Sequence, residues 1–165
     1  MELAILAAVI VAIGAASAVS AKRVAPDERL AVYRMGNAHD VREPGWTLLI
    51  PVLDRGIRVD LRERRSEIRR QTLTSSDGQS VDISGHVRWQ IHDPMMSVIH
   101  VRDIDEAVAD FAAQAIREVV ESSTRPELLD QPTLDATIAT RIEAVLQRWG
   151  ATVIAVEVRP TGASS

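Results

Sequence analysis

The sequence predicts an α+β protein: an N-terminal transmembrane helix, then antiparallel strands, two packed helices and a closing strand. Three observations carry this. Residues 3–21 contain no charged side chain. Period-two alternation of apolar and polar residues marks several segments between positions 28 and 91, and again at 152–158. Between these strand segments, residues 103–149 carry apolar side chains at helical spacing.

With 165 residues, the chain can hold one ordinary domain with a real core. Cysteine is absent, which excludes disulfides, thiolate metal sites and cysteine nucleophiles. Aromatic residues make up 3%, too few for the stacking platforms of base-binding modules, and the net charge of −4 gives no global pull toward nucleic acid. No nucleic-acid partner is expected. The charge is uneven, however. Residues 22–70 hold 12 basic and 8 acidic side chains, and residues 71–165 hold 7 and 14. A basic first part suggests that one end faces something anionic.

The uncharged stretch 3–21 would be roughly 28 Å long as a helix, close to the hydrocarbon thickness of a bilayer. Lys22 and Arg23 follow it at once, and Glu2 is the only charged side chain before it. Basic flanks stay on the cytoplasmic side, so a membrane anchor with a cytoplasmic domain is expected. The alternative is a cleaved signal peptide and an exported soluble domain, for which Val19-Ser20-Ala21 offers small residues.

Residues 28–35 read as a strand closed by a Gly36-Asn37 turn, and 38–46 as a loop ending in Pro44-Gly45. Trp46-Thr47-Leu48-Leu49-Ile50 is a short apolar run stopped by Pro51. It suits either a core strand or a shallow membrane contact, because a tryptophan beside aliphatic residues fits the bilayer interface. Ile57, Val59 and Leu61 alternate with Arg58, Asp60 and Arg62, a half-buried strand. The arginine-rich stretch that continues to Arg70 is either a headgroup-binding surface or a solvated strand face with paired charges. Lys22, Arg23, Arg58, Arg62 and Arg64 are the candidate headgroup contacts.

Ser76-Asp77-Gly78 is a hairpin signal, followed by the clearest strand, with Val81, Ile83, Val87, Trp89 and Ile91 on one face. His86 and His92 share the other face but lie about 20 Å apart along an extended strand, too far for one metal ion. Asp93-Pro94 opens a helical turn. A helix follows over 103–122, with Ile104, Val108, Phe111, Ala115 and Val119 inward; residues 125–131 form a connector. A second helix over 133–149 is stopped by Gly150, and Thr152, Ile154, Val156 and Val158 close the domain as a strand. No phosphate loop, nucleophile–base pair or metal-ligand spacing occurs, so no catalytic, cofactor or metal residues are nominated and no enzyme is expected.

Taken together, several short motifs resemble the stomatin/prohibitin family, the SPFH or band 7 domain. They are Val24-x-Pro26-x-Glu28-Arg29, Arg34-Met35-Gly36, Pro44-Gly45-Trp46, Ile50-Pro51, Asp54-Arg55 and Val59-Asp60-Leu61-Arg62. The series continues through Thr74-Ser75-Ser76-Asp77-Gly78, the run from Val87 to Pro94, Trp149-Gly150-Ala151-Thr152-Val153 and Val156-Glu157-Val158. The resemblance implies a membrane-anchored, non-enzymatic domain that self-associates and organises membrane proteins or lipid microdomains, often with a membrane protease or channel as partner. It also implies that Trp46, Leu48, Leu49 and Ile50 contact the bilayer. The expected organisation is an anchor at 1–23, the SPFH domain at 24–160 and a polar tail at 161–165. The polar stretch Arg65-Ser66-Glu67-Ile68 departs from the family's more apolar strand. The chain also ends at Ser165 without the coiled coil that relatives carry. That departure keeps a second expectation open: a monomeric or dimeric tethered regulator that docks one partner through Asp105, Glu106 and Asp110.

Overall fold

A computed structural model describes residues 1–50 and 53–162. Pro51 of the Ile50-Pro51 motif and the last residues of the tail lie outside them. The chain divides into two units, Met1–Leu61 and Arg62–Ser165.

The first unit opens with α1 (Glu2–Ser20) and continues through β1 (Ala21–Val24), β2 (Glu28–Arg34), β3 (Asn37–Arg42), β4 (Gly45–Leu48) and β5 (Asp54–Asp60). The expected helix forms, but among the described residues no helix is long and apolar enough to cross a membrane. This corrects the expectation of a membrane-spanning segment. The sequence of the second half of α1, residues 14–20, is glycine, alanine and serine apart from Val19, which lowers its hydropathy as a span.

β1 pairs with β4, and a three-stranded sheet runs in the order β3-β2-β5, all antiparallel. Val24, Leu30, Val32 and Leu49 form the buried cluster of this unit. The expected loop at 38–46 is largely the strand β3, stabilised by its ladder with β2 rather than by any apolar pattern of its own. The turn between β2 and β3 sits one residue earlier than expected, on Met35 and Gly36, whose φ values of 52° and 87° are those of a type I′ hairpin. Arg29 braces the entry to β2 by donating to the Pro26 carbonyl and pairing with Glu43 at 3.1 Å.

In the second unit, β6 (Arg64–Thr74), β7 (Ser80–Ile91) and β8 (Ala151–Gly162) form an antiparallel sheet in the order β6-β7-β8. Between β7 and β8 come α2 (Pro94–His100), α3 (Ile104–Ser122), α4 (Arg125–Leu129), α5 (Gln131–Leu146) and a 3-10 turn, Gln147–Trp149. The apolar face of β7 is buried as its alternation predicts. α3 packs against β6 and α5 against β8. Asp93 and Asp103 cap α2 and α3 by accepting from the backbone N–H groups two and three residues on. The expected connector at 125–131 contains α4, made possible by a capping box between Thr124 and Glu127. Several helices, not two, therefore separate the hairpin from the closing strand.

Candidate functional site

The first unit presents the larger exposed apolar surface. In α1, Leu3, Ile5, Leu6, Val9, Ile10 and Val11 are all exposed, and no stripe of polar residues separates them. A helix apolar all round, with these side chains in water, calls for a nonaqueous partner. The chain passes from Ser20 straight into β1, so the β1–β4 ribbon begins where the helix ends.

The register of that ribbon places Leu48 opposite Ala21, Thr47 opposite Lys22 and Trp46 opposite Arg23. Trp46 is 78% exposed and Leu48 70%, while Ile50 is also exposed. Leu49 is turned the other way and is 7% exposed, packed in the cluster with Val24, Leu30 and Val32. Gly56 makes room for it, since a Cβ at that position would lie 3.0 Å from Leu30 Cδ1 and 3.1 Å from Leu49 Cδ1. The strand alternation thus divides the apolar run: Leu49 anchors it to the core, and Trp46, Leu48 and Ile50 face outward.

Beyond Ile50 the chain is pinned by Asp54. Its carboxylate receives Arg34 Nε at 2.8 Å, Arg34 Nη2 at 3.2 Å and the Ile50 backbone N–H at 2.9 Å. The hydrogen bonds from Arg34 and Ile50 hold the Asp54 pKa down to about 2 against the cost of desolvation. Lys22, Arg23 and Arg58 are exposed, and Arg58 donates to the Arg23 carbonyl.

The other two candidate headgroup cations belong to the second unit. Arg62 is exposed and engaged in interactions. Arg64 pairs with Asp105 at 2.6 Å, and its guanidinium lies 5.4 Å from the centroid of the buried Trp89 ring. Further along β6 and β7, Arg70 pairs with Asp82, Arg65 with Glu67 and Arg88 with Glu63. The structure therefore gives much of this arginine-rich stretch the paired-strand-face arrangement. Asp105 is committed to Arg64, while Glu106 and Asp110 remain exposed on α3.

On the same sheet, Arg65, Glu67, Ser84, His86, Glu157 and Arg159 line a shallow recess of about 320 Å³. His86 Nε2 is 3.7 Å from Glu157. Among the described residues no cluster of His, Asp or Glu is arranged to hold a metal ion. Sequence reasoning missed β1, whose four residues show no alternation, and with it the ribbon that fixes the orientation of Trp46 and Leu48. The small Ala21 opposite Leu48 gave no signal of pairing.

The model of the SPFH domain / Band 7 family matches residues 22–162. Stomatin-like protein 1 of Homo sapiens is 30% identical over 132 residues, 79% of this chain and 33% of that protein. Stomatin-1 of Caenorhabditis elegans is 28% identical over 134 residues, 80% of this chain and 41% of that protein. A stomatin homolog of Pyrococcus horikoshii is 27% identical over 133 residues, covering 80% of this chain and 50% of its own length. The chain thus spans between a third and a half of the length of these relatives.

Proposed function

The chain belongs to the SPFH domain / Band 7 family, and from that premise we propose that it is a membrane-associated, non-enzymatic scaffold. In this reading α1 lodges in the bilayer, and Trp46, Leu48 and Ile50 rest at the interface beside its exit. The rest of the chain is assigned to the cytoplasmic side from the basic flank Lys22-Arg23. Lys22, Arg23 and Arg58 meet anionic headgroups. The domain self-associates and collects other membrane proteins, a protease or channel among them.

One observation carries the membrane part of the proposal. The β1–β4 register sets the exposed Leu48 directly across from Ala21, the first residue after α1. A membrane holding α1 would meet this ribbon first. Tryptophan, leucine and isoleucine beside lysine and arginine is the composition that an interfacial surface requires.

The test is flotation of the full chain with vesicles of phosphatidylcholine and phosphatidylglycerol, followed by mass photometry of the released protein. The full chain should float. A chain lacking residues 2–20 should lose most of that binding, and a Trp46→Ser/Leu48→Ser/Ile50→Ser variant should bind more weakly with its fold intact. Flotation unchanged by both alterations would overturn the membrane reading. A released protein that stays monomeric would remove self-association and favour the docking regulator, with Glu106 and Asp110 as its exposed acids.

A further inference from the structure

We infer that the β2–β3 turn is a second lipid contact, in which Met35 and Leu53, flanked by Arg55, enter the headgroup region of an anionic bilayer. The inference rests on the membrane reading above and adds residues that reading does not use.

Met35 occupies the first central position of a two-residue hairpin turn, with φ of 52°. Asparagine, aspartate or glycine serves there at little cost, because a longer side chain is strained in the left-handed region. The chain instead places a long apolar side chain there and leaves it 78% exposed. Folding gains nothing from this choice, since the side chain packs into no core and the backbone is strained. A partner outside the chain accounts for it.

The turn is also hydrogen-bonded to a segment that carries other exposed apolar residues. The Met35 N–H donates to the Leu53 carbonyl at 3.0 Å, and the Leu53 and Asp54 N–H groups both donate to the Ile50 carbonyl. The forked Arg34–Asp54 pair ties the end of β2 to the start of β5. Met35, Leu53 and Ile50 therefore gather at one corner of the first unit, all exposed. Pre-organisation of this kind lowers the ordering cost of binding.

Charge selects the partner. Asp54 is neutralised by Arg34, whereas Arg55, Lys22, Arg23 and Arg58 are exposed and form no ion pair among the described residues. An apolar corner beside the exposed Arg55, on a unit that also exposes Lys22, Arg23 and Arg58, fits an anionic lipid surface. A symmetric contact with a second copy would instead press like charges together.

The absence of native cysteine makes the test direct. Met35→Cys, Leu53→Cys, Trp46→Cys and Glu121→Cys are each labelled with an environment-sensitive fluorophore in the full chain. They are mixed with vesicles of equal parts phosphatidylcholine and phosphatidylglycerol carrying acyl-chain nitroxide lipid. Probes at 35, 53 and 46 should shift to the blue and be quenched, while the probe on α3 at 121 stays in water. Quenching at 46 with aqueous behaviour at 35 and 53 would overturn this inference and leave the membrane reading standing. Aqueous probes at all four positions would sink both. A blue shift at 35 without nitroxide quenching would assign the corner to protein contact and also overturn it. In parallel, Met35→Asn should keep or raise Tm, because asparagine tolerates the turn, and should weaken vesicle partitioning about threefold. Unchanged partitioning with a native fold counts against the inference.

Discussion

The indole N–H of Trp89 donates to Ser66 Oγ at 2.9 Å, joining the middle strand of the β6-β7-β8 sheet to its neighbour in the core. Trp89 is fully buried and Ser66 nearly so. A serine on the inner face of β6 would look misplaced if it did not satisfy the one polar atom of the largest core side chain. Ser66→Ala removes that partner and should cost about 1–3 kcal/mol in urea unfolding, because a buried donor is left unpaired. In a double-mutant cycle with Trp89→Phe, the paired loss should be smaller than the sum of the single losses. Strict additivity would show that the hydrogen bond is not coupled in solution.

The Arg34–Asp54 pair predicts a specific acid response. Asp54 is only 3% exposed, and its pKa lies at about 2 against an ordinary 3.8. A carboxyl whose pKa falls on folding contributes stability above its unfolded value and loses it as pH drops through the folded value. The contribution should be intact above about pH 4 and disappear between pH 4 and 2. Asp54→Asn should flatten the pH dependence of unfolding in that window. An unchanged slope would mean that other carboxyls carry the acid response.

The contrast between Ser66 and Trp46 shows what the sequence reveals and what it hides. Alternation in β7 and helical spacing in α3 and α5 follow from burial, so the sequence displays them and the structure agrees. Trp46, Leu48 and Ile50 are apolar without being buried, and that pattern alone reads equally well as core. Only the pairing of β1 with β4 reveals which way each side chain faces. β3 was illegible because its residues, Asn37 to Arg42, are held by tertiary ladder bonds and carry no local preference. Met35 lies within the Arg34-Met35-Gly36 motif, but its significance as a contact lies in a positive φ that no composition displays.

Gly150 is required by two separate constraints. Its φ is 69°, and a Cβ there would lie 2.4 Å from the Asp93 carbonyl oxygen. Its own carbonyl accepts from the N–H groups of His92 and Asp93, so it fastens the end of the 3-10 turn to the start of α2. Gly150→Ala should destabilise the fold by more than about 2 kcal/mol, beyond the loss expected from left-handed strain alone. Gly78, with φ of 78° and open space around its missing Cβ, is the control. Gly78→Ala should cost only about 1 kcal/mol. Equal losses at the two sites would show that the Asp93 contact relaxes freely.

Two carboxylates of α5 guard the free edge of β8, and they should respond to neutralisation in opposite ways. Asp135 Oδ1 accepts the Val158 N–H at 2.9 Å, and burial together with the nearby Glu157 raises its pKa. Glu143 accepts from the Val153 N–H, from Thr152 Oγ1 at 2.8 Å and from Gln147. Burial alone would raise the Glu143 pKa, but these hydrogen bonds together hold it below its ordinary value. A carboxyl whose folded pKa is raised stabilises the fold most at low pH, and that contribution is lost as pH rises through the folded value. At neutral pH, Asp135→Asn keeps an acceptor for Val158 and discards an unfavourable charge, so its stability should equal or exceed that of the parent. Glu143→Gln replaces a charge that several donors favour and should lose about 1–2 kcal/mol. Removing both acceptors, as Asp135→Ala/Glu143→Ala, should uncover the strand edge and produce concentration-dependent association, read by light scattering. Should Asp135→Asn prove the more damaging of the two single changes, the charge on Asp135 would be favourable and this account of the edge would fail.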